Sequence, residues 1–286
     1  MQSLNYLTAL ILSLFVCGIF AQQKASPQRT VLPKKTYFEP LLLDPIECQP
    51  YIGFFAYSQS NLDSKKVYVP FAMAMQKVFL RWQHDSLHGY EIGFDGGAFT
   101  QFEWIILNDK WQRNILNSDF KGSLFFNLKS DKWVLRTRLY HISSHLGDDY
   151  IIRNKIKSYT PNAVNYEQLD ISMSHNAKNL RFYTGIGAVV RPETIRRRFS
   201  TQFGFIYNKS ISNDNFYEFI LGSDVKILAQ NNFNPNIKIA SGIRIAKILN
   251  NPVCFLLEFY QGNLPYSVFE NKKVKWAGLS FYFNPL

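Results

Sequence analysis

Cysteine is almost absent. Of three in the chain, Cys17 sits in the leading apolar stretch, so only Cys48 and Cys254 belong to the rest. Two cysteines in a chain of this size exclude a disulfide framework, and their spacing matches no metal motif. No GxGxxG, P-loop or HExxH occurs, which leaves nucleotide and zinc chemistry without support. Long apolar runs are missing as well: Leu7 to Phe20 is too short to span a bilayer as a helix. Charged residues make up 19% of the chain, below the usual quarter or so. Acidic residues are the minority among them, 21 against 32 basic, for a net charge of +11.

What is present is a leader, an arm and a long alternating region. MQSLNYLTALILSLFVCGIFA reads as a secretory signal over residues 1–21, with Ile19-x-Ala21 as the cleavage site. A lipoprotein signal at Cys17 is the alternative, and bulky Val16 argues against it. The basic, Pro-containing lead QQKASPQRTVLPKKTYFEP opens residues 22–49, expected as an irregular periplasmic arm. A basic chain with a secreted destination points to anionic lipid as partner rather than nucleic acid.

From residue 50 to 286 the rhythm is two, not 3.6. In YEIGFDGGAFTQFEW one face collects Tyr90, Ile92, Phe94, Gly96, Ala98, Thr100, Phe102 and Trp104. The other collects Glu91, Asp95, Gln101 and Glu103. A strand with one apolar and one polar face has this pattern. About twelve such segments recur, near 50–59, 70–83, 89–104, 117–128, 132–145, 164–175, 179–191, 198–208, 215–229, 235–246, 252–261 and 273–283. Each is about 10–15 residues, enough to cross a bilayer at barrel tilt. The second alternates poorly, so a bulge or a displaced boundary is expected there.

A soluble sandwich would bury the apolar faces; a transmembrane barrel would turn them to lipid. The barrel is favoured by the even segment count. Connections alternate long and short, LGDDYIIRNKIKSYTPNA before NAK and WIILNDKWQRNI before KSD. The chain closes on WAGLSFYF, which resembles the C-terminal signal of outer-membrane barrels and implies the barrel assembly machinery as a partner. Asn284-Pro285-Leu286 extend beyond that signal. The expected fold class is all-β, a transmembrane antiparallel barrel of about twelve strands in the bacterial outer membrane.

FEPLLLDP, RLYHISSHLGDDY, NYEQLD and RFYTGIGAVVRP together resemble the landmarks of a bacterial domain-of-unknown-function family, number 1207. The resemblance spans nearly all of the mature chain and is most specific at SSHLGD. It implies an outer-membrane location and brings no activity.

Function must come from the residues, and KWVLRTRLYHISSH is the most informative stretch. One face holds Arg136 and Arg138, which would cost roughly 2–4 kcal/mol each on the lipid side near the midplane. That face must look into the lumen, so by alternation Leu135, Leu139, His141 and Ser143 look outward. If the next strand, VNYEQLDISMSH, pairs Leu169 with Leu139, then Glu167 falls opposite His141. A Ser, a His and a carboxylate on one outward patch near outer-leaflet headgroups suit serine-dependent deacylation of an outer-membrane lipid, lipid A or phospholipid. Ser143 would be the nucleophile, His141 the base and Glu167 the orienting acid. The alternative reading is an ordinary polar rim. This local arrangement is similar to outer-membrane phospholipase A and to lipid A 3-O-deacylase, where His-x-Ser on an outward face has a polar partner on a neighbouring strand. The Asn that follows their Ser is Ser144 here, and Gly147 comes later.

His145, Asp148 and Asp149 form a sparse candidate set for a divalent cation such as calcium; a simple chain turn is the alternative. Arg196, Arg197 and Arg198, in an expected outer loop RPETIRRR, have the forked geometry that grips phosphates of lipopolysaccharide, or they form a solvated loop. Inward charges including Asp95, Asp170, Arg181, Glu218, Asp224, Arg244 and Glu258 point to a salt-bridged plug more than to a pore. The rival function is a non-enzymatic structural barrel or narrow channel.

Overall fold

A chain whose polar and apolar residues alternate this regularly satisfies both environments only as a sheet, and in lipid only as a closed one. The computed structural model describes residues 26–59, 67–107, 109–157, 165–192, 196–212, 216–245 and 252–283. The leader at 1–21 and Asn284-Pro285-Leu286 lie outside them.

Twelve strands form the ring: β2 (Tyr51–Gln59), β3 (Val67–Gln83), β4 (His88–Leu107), β5 (Lys110–Ser130), β6 (Trp133–Leu146), β7 (Asn165–Ala177), β8 (Leu180–Pro192), β9 (Phe199–Ser210), β10 (Tyr217–Leu228), β11 (Pro235–Ile245), β12 (Val253–Asn263) and β13 (Lys273–Phe283). Each pairs antiparallel with the next, and β13 closes on β2 from Val274↔Gln59 to Tyr282↔Tyr51. A short β1 (Gln28–Val31) lies against the end of β3. Among the described residues one α-helix, α1 (Asp148–Arg153), follows β6. This is a closed transmembrane antiparallel barrel, as the alternation predicts.

The expected irregularity in the second segment is a bulge between Val78 and Leu80, with the strand starting earlier, at Val67. Pairing of β2 with β3 skips from Ile52↔Phe71 to Phe55↔Tyr68. Pro70 lies in that gap and has no N–H to donate. WIILNDKWQRNI, expected as a long connection, is strand on both sides of a tight link, Leu107 pairing with Lys110. Positive φ at Asp109 supports the tight reversal.

Burial divides along the faces as lipid requires. Leu124 and Ile186 are each 65% exposed and Leu257 63%, on the outside, while Arg136 and Arg138 are 1% and 3% exposed within. Leu139 is outward, as expected from its neighbours.

Within the stretch 22–49, expected as a periplasmic arm, the described residues after β1 depart from that place. From residue 33 the chain runs inside the barrel, with Phe38, Leu41, Leu43, Asp44 and Glu47 buried. The reason is charge and shape complementarity. Arg136 donates two hydrogen bonds to the Glu47 carboxylate, at 2.7 and 3.1 Å, and Arg138 reaches it at 3.3 Å. Lys226 pairs with Asp44 at 3.1 Å, Lys121 donates to the Ile46 carbonyl, and Arg181 donates to the carbonyls of Glu39 and Pro40. Phe38 lies under Arg136, its ring 4.2 Å from the guanidinium carbon.

The wall charges pair as well: Arg138 with Asp95 and Asp170, Lys238 with Glu258, Arg244 with Glu218. At the other end the 3₁₀ turn Ser267–Phe269 covers the lumen, its Ser267 N–H donating to Asp119. A cavity of about 30 Å³ lies between the two fillings, lined by Asp44, Lys226, Asp224, Arg196, Glu270 and Tyr166 among others. That is room for about one water. The expected salt-bridged interior is present, and a chain segment expected outside the barrel completes it.

Burial by itself would raise the Glu47 carboxyl. The guanidinium groups of Arg136 and Arg138 outweigh that effect and hold it well below the usual carboxylate range. A depressed folded value stabilises above the unfolded pKa, about 4.3, and the contribution is lost as pH falls through the folded value. Glu47→Ala should cost about 3–5 kcal/mol, because it strands two buried guanidinium groups. Guanidinium-chloride unfolding of the detergent-folded protein measures this. The Glu47 contribution is lost below about pH 4, so the wild-type midpoint should fall there, with a shallower fall in Glu47→Gln.

Candidate active site on the outer face of the barrel

β6 carries the candidate residues because its inward positions are committed to the plug. With Arg136, Arg138 and Tyr140 buried, His141, Ser143 and His145 project outward. Register then sets what stands beside them. Leu139 pairs with Leu169, His141 with Glu167 and Ser143 with Asn165. The His141 Nδ1 lies 3.0 Å from Glu167 Oε1, with the side chains 50% and 30% exposed. The expected His–carboxylate pair is therefore made, one step of the outward face above the apolar Leu139–Leu169 pair.

The serine is placed differently from expectation. Ser143 Oγ lies 2.9 Å from the Nε2 of His145, not on His141. His145 packs its ring edge-to-face on Phe120, centroids 5.8 Å apart, and among the described residues it has no carboxylate partner. Both histidines flank Ser143 on one strand face, two residues away on either side, which by strand rise is about 7 Å. Gly122 pairs with His141 from the β5 side, and a Cβ there would meet nothing within 4 Å. One flank of the imidazole is thus uncovered.

Ser144 and Gly147 serve structure. Ser144 points inward and donates to Asp119, which also accepts from Asn117 and from the Ser267 backbone. The plane of β6 is thereby tied to the lumen cap directly behind Ser143. At Gly147 a Cβ would sit 2.2 Å from the Ile115 carbonyl oxygen, so the chain can cross β5 only without a side chain.

The sparse metal set does not converge. His145 is engaged by Ser143, Asp149 accepts the Ile115 N–H at 3.0 Å, and Asp148 stands in α1. Among the described residues no three His, Cys, Asp or Glu side chains are grouped to hold a metal ion. The Arg cluster also divides. Arg196 is buried, bidentate to Glu270 at 2.7 and 3.0 Å and stacked over Tyr166, so it is part of the lumen cap rather than a phosphate grip. An arginine there compensates an acid that burial pushes up, and the counter-ion effect of Arg196 opposes that push. Arg197 donates to Asn232 Oδ1 at 2.7 Å, and Arg198 is exposed.

Pattern alone misses two residues. Asn165 stands opposite Ser143, its side-chain oxygen buried without a hydrogen-bond partner among the described residues. Arg191 stands opposite Glu167, its Nε 4.0 Å from Glu167 Oε2 and its side chain 83% exposed. Strict alternation would put Arg191 inside. A bulge moves it: Gln168 pairs with Val189 and Glu167 with Arg191, so Val190 is the extra residue.

The chain belongs to the family described as "Protein of unknown function (DUF1207)", whose model matches residues 13–284. No curated protein matches it in sequence. Among solved structures it is similar to outer membrane phospholipase A from Escherichia coli, at 13% identity and a TM-score of 0.56, over 87% of this chain and 95% of that one. It is similar also to the Salmonella typhi outer membrane phospholipase dimer with bound calcium, at 12% identity and a TM-score of 0.56, over 88% and 94%. At these identities the likeness is one of fold: an outer-membrane barrel of the same architecture.

The split of the Arg cluster has a direct test. Arg196→Ala should lower stability by about 3–5 kcal/mol, since it leaves a buried carboxylate without its partner. Arg198→Ala should change it by less than about 0.5 kcal/mol. Thermal melts in detergent separate the two, and equal effects would contradict the placement of Arg196 in the cap.

Proposed function

We propose that this protein is a serine-dependent acyl hydrolase of the bacterial outer membrane, cleaving an ester of an outer-leaflet lipid, lipid A or a phospholipid. The observation that carries this reading is the outward His141–Glu167 pair at 3.0 Å beside Ser143. A structural rim needs no carboxylate held on an imidazole at the lipid boundary, whereas a general base does. The filled lumen supports it from another side, because a substrate can then reach the barrel only from the membrane or the outer rim. The fold likeness to a protein whose name is phospholipase A fits the same reading.

The chemistry uses groups in place. Glu167 fixes the Nδ1 side of His141 and leaves Nε2 to accept a proton. Ser143 leaves His145 by rotation about its side-chain bond and turns to His141. Its Oγ attacks the acyl carbonyl carbon while His141 takes the hydroxyl proton. The tetrahedral adduct collapses, the ester C–O bond breaks, and the departing lipid oxygen takes the proton from His141. Water then attacks the acyl-serine, His141 again takes a proton, and fatty acid leaves as Ser143 regains its hydrogen. On this reading the oxyanion donor is the side-chain amide of Asn165, the residue paired with Ser143 across β6 and β7.

His145 holds the resting hydroxyl. It has an aromatic wall but, among the described residues, no carboxylate to orient its ring, which His141 has in Glu167. Calcium, if bound near this rim, would supply positive charge to a lipid phosphate or oxyanion. The resemblance of the WAGLSFYF strand to an assembly signal supports insertion through the barrel assembly machinery. The non-enzymatic alternative is a structural barrel or narrow channel; the segment seated in the lumen, its Glu47 and Asp44 paired to the wall, narrows any such path.

Purified protein should release fatty acid from phospholipid or lipopolysaccharide, assayed with and without calcium. Ser143→Ala and His141→Ala should each lower release by several orders of magnitude, and Glu167→Gln by less. His145→Ala should be far milder than His141→Ala. No release from either lipid under either condition would leave the structural barrel as the function. Release that survives in Ser143→Ala would move the site elsewhere.

A further inference from the structure

A β-bulge that delivers a cation to a chemically loaded strand face calls for a ligand. Bulges collect near active sites, where they re-aim a side chain. At Val190 the extra residue brings Arg191 out of the lumen alternation and into line with Glu167 and His141, across β8, β7 and β6. Neighbouring strands lie about 4.8 Å apart, so Arg191 stands roughly two strand spacings, about 10 Å, from the strand that bears Ser143 and His141.

The contact of Arg191 with Glu167 is too loose to be its purpose. The Nε–Oε2 separation is 4.0 Å, and the other carboxylate oxygen is already held by His141 at 3.0 Å. An 83% exposed arginine gains little from such a pair. Guanidinium has five N–H donors in a planar fork, and that fork matches the oxygens of a phosphate. Arg198, also exposed, lies at the same end of the β8–β9 pair, its carbonyl accepting the Val189 N–H at 2.9 Å.

We propose that Arg191 is the phosphate-binding residue of the site and selects lipids that carry a phosphate close to the acyl ester. The proposal rests on the hydrolase reading for its catalytic consequence, but the binding itself does not. In phosphoglycerides and in phosphorylated acyl glycolipids a phosphate is a few bonds from an ester carbonyl. With the phosphate on Arg191, the ester is drawn over β6, toward Ser143. A phosphate also adds negative charge beside Glu167, and Arg191 offsets both.

Binding can be measured without turnover by using Ser143→Ala protein in a nonionic detergent. Calorimetric titration with dihexanoyl phosphatidylglycerol, with uncharged dihexanoylglycerol and with inorganic phosphate gives three arms. Arg191→Gln in that background should weaken the phosphatidylglycerol by about ten-fold, the scale of one charge-assisted hydrogen bond, and leave dihexanoylglycerol unchanged. Arg191→Lys, which keeps the charge and loses the fork, should fall between. Inorganic phosphate competing in the millimolar range, with no added affinity from the acyl chains, would assign the site to free phosphate and overturn the lipid proposal. An unchanged affinity for phosphatidylglycerol after Arg191→Gln would overturn it too, as would an equal loss for the uncharged lipid. Selective binding together with a wild-type protein that hydrolyses nothing would sink the hydrolase reading while the phosphate site stands.

Discussion

Two arginines on the inner face of β6 cannot stand in a narrow lumen without a counter-charge. Removing a guanidinium from water costs several kcal/mol even after relaxation, and only a well-placed carboxylate with its hydrogen bonds offsets that. Arg136 and Arg138 share Glu47, and Arg138 takes Asp95 and Asp170 as well. The partner that binds both comes from the segment before the barrel, not from the wall. The seating of residues 38–49 in the lumen and the filling of the interior both follow from this one requirement.

The same pairing determines what the outside of β6 can be. A strand has two faces, and once the arginines are held inside, His141, Ser143 and His145 have no other direction. Ser144, between them, anchors inward on Asp119, which also holds the Ser267 backbone of the lumen cap. The outward residues therefore rest on a strand fixed from behind along its length. Precision of this kind matters for a nucleophile and base, whose useful geometry tolerates little displacement.

Much of this is legible in the sequence, and the limits have physical causes. Alternation marks the strands because a barrel wall has a solvent on one side and a packed interior on the other. The cost of a lipid-facing arginine assigns the faces of β6, and hairpin register then predicts His141 beside Glu167. The position of residues 33–49 is not local information. PKKTYFEP reads as a polar exterior arm until the acids that follow it are matched to Arg136, Arg138 and Lys226, which lie about 90 to 180 positions away in the chain. Arg196 is hidden for a similar reason: a loop arginine looks solvated unless Glu270 is known to face it. Ser143 on His145 is a rotamer choice between two equidistant neighbours, which spacing does not resolve. Arg191 is hidden by a bulge, and a pattern of strict period two assigns every residue beyond a bulge to the wrong face.

A barrel with a filled lumen has only its outer face and rim left for chemistry. That limits what can be a substrate more sharply than any motif does. Soluble molecules pass the outer wall at the rim, but only lipid resides against it, with its ester bonds at the level where apolar side chains give way to polar ones. On β6 and β7 that change occurs between the Leu139–Leu169 pair and the His141–Glu167 pair. On the hydrolase reading proposed above, a histidine–carboxylate pair at that step would meet ester carbonyls without any need to extract the acyl chains. Gly122 beside His141 leaves that flank of the wall open, and Arg191, two strands away, is the residue proposed to take a headgroup anion. The plug and the proposed site are thus two consequences of one division of the strand: Arg136 and Arg138 turn inward to the acids that neutralise them, and His141 and Ser143 are left to the outer face.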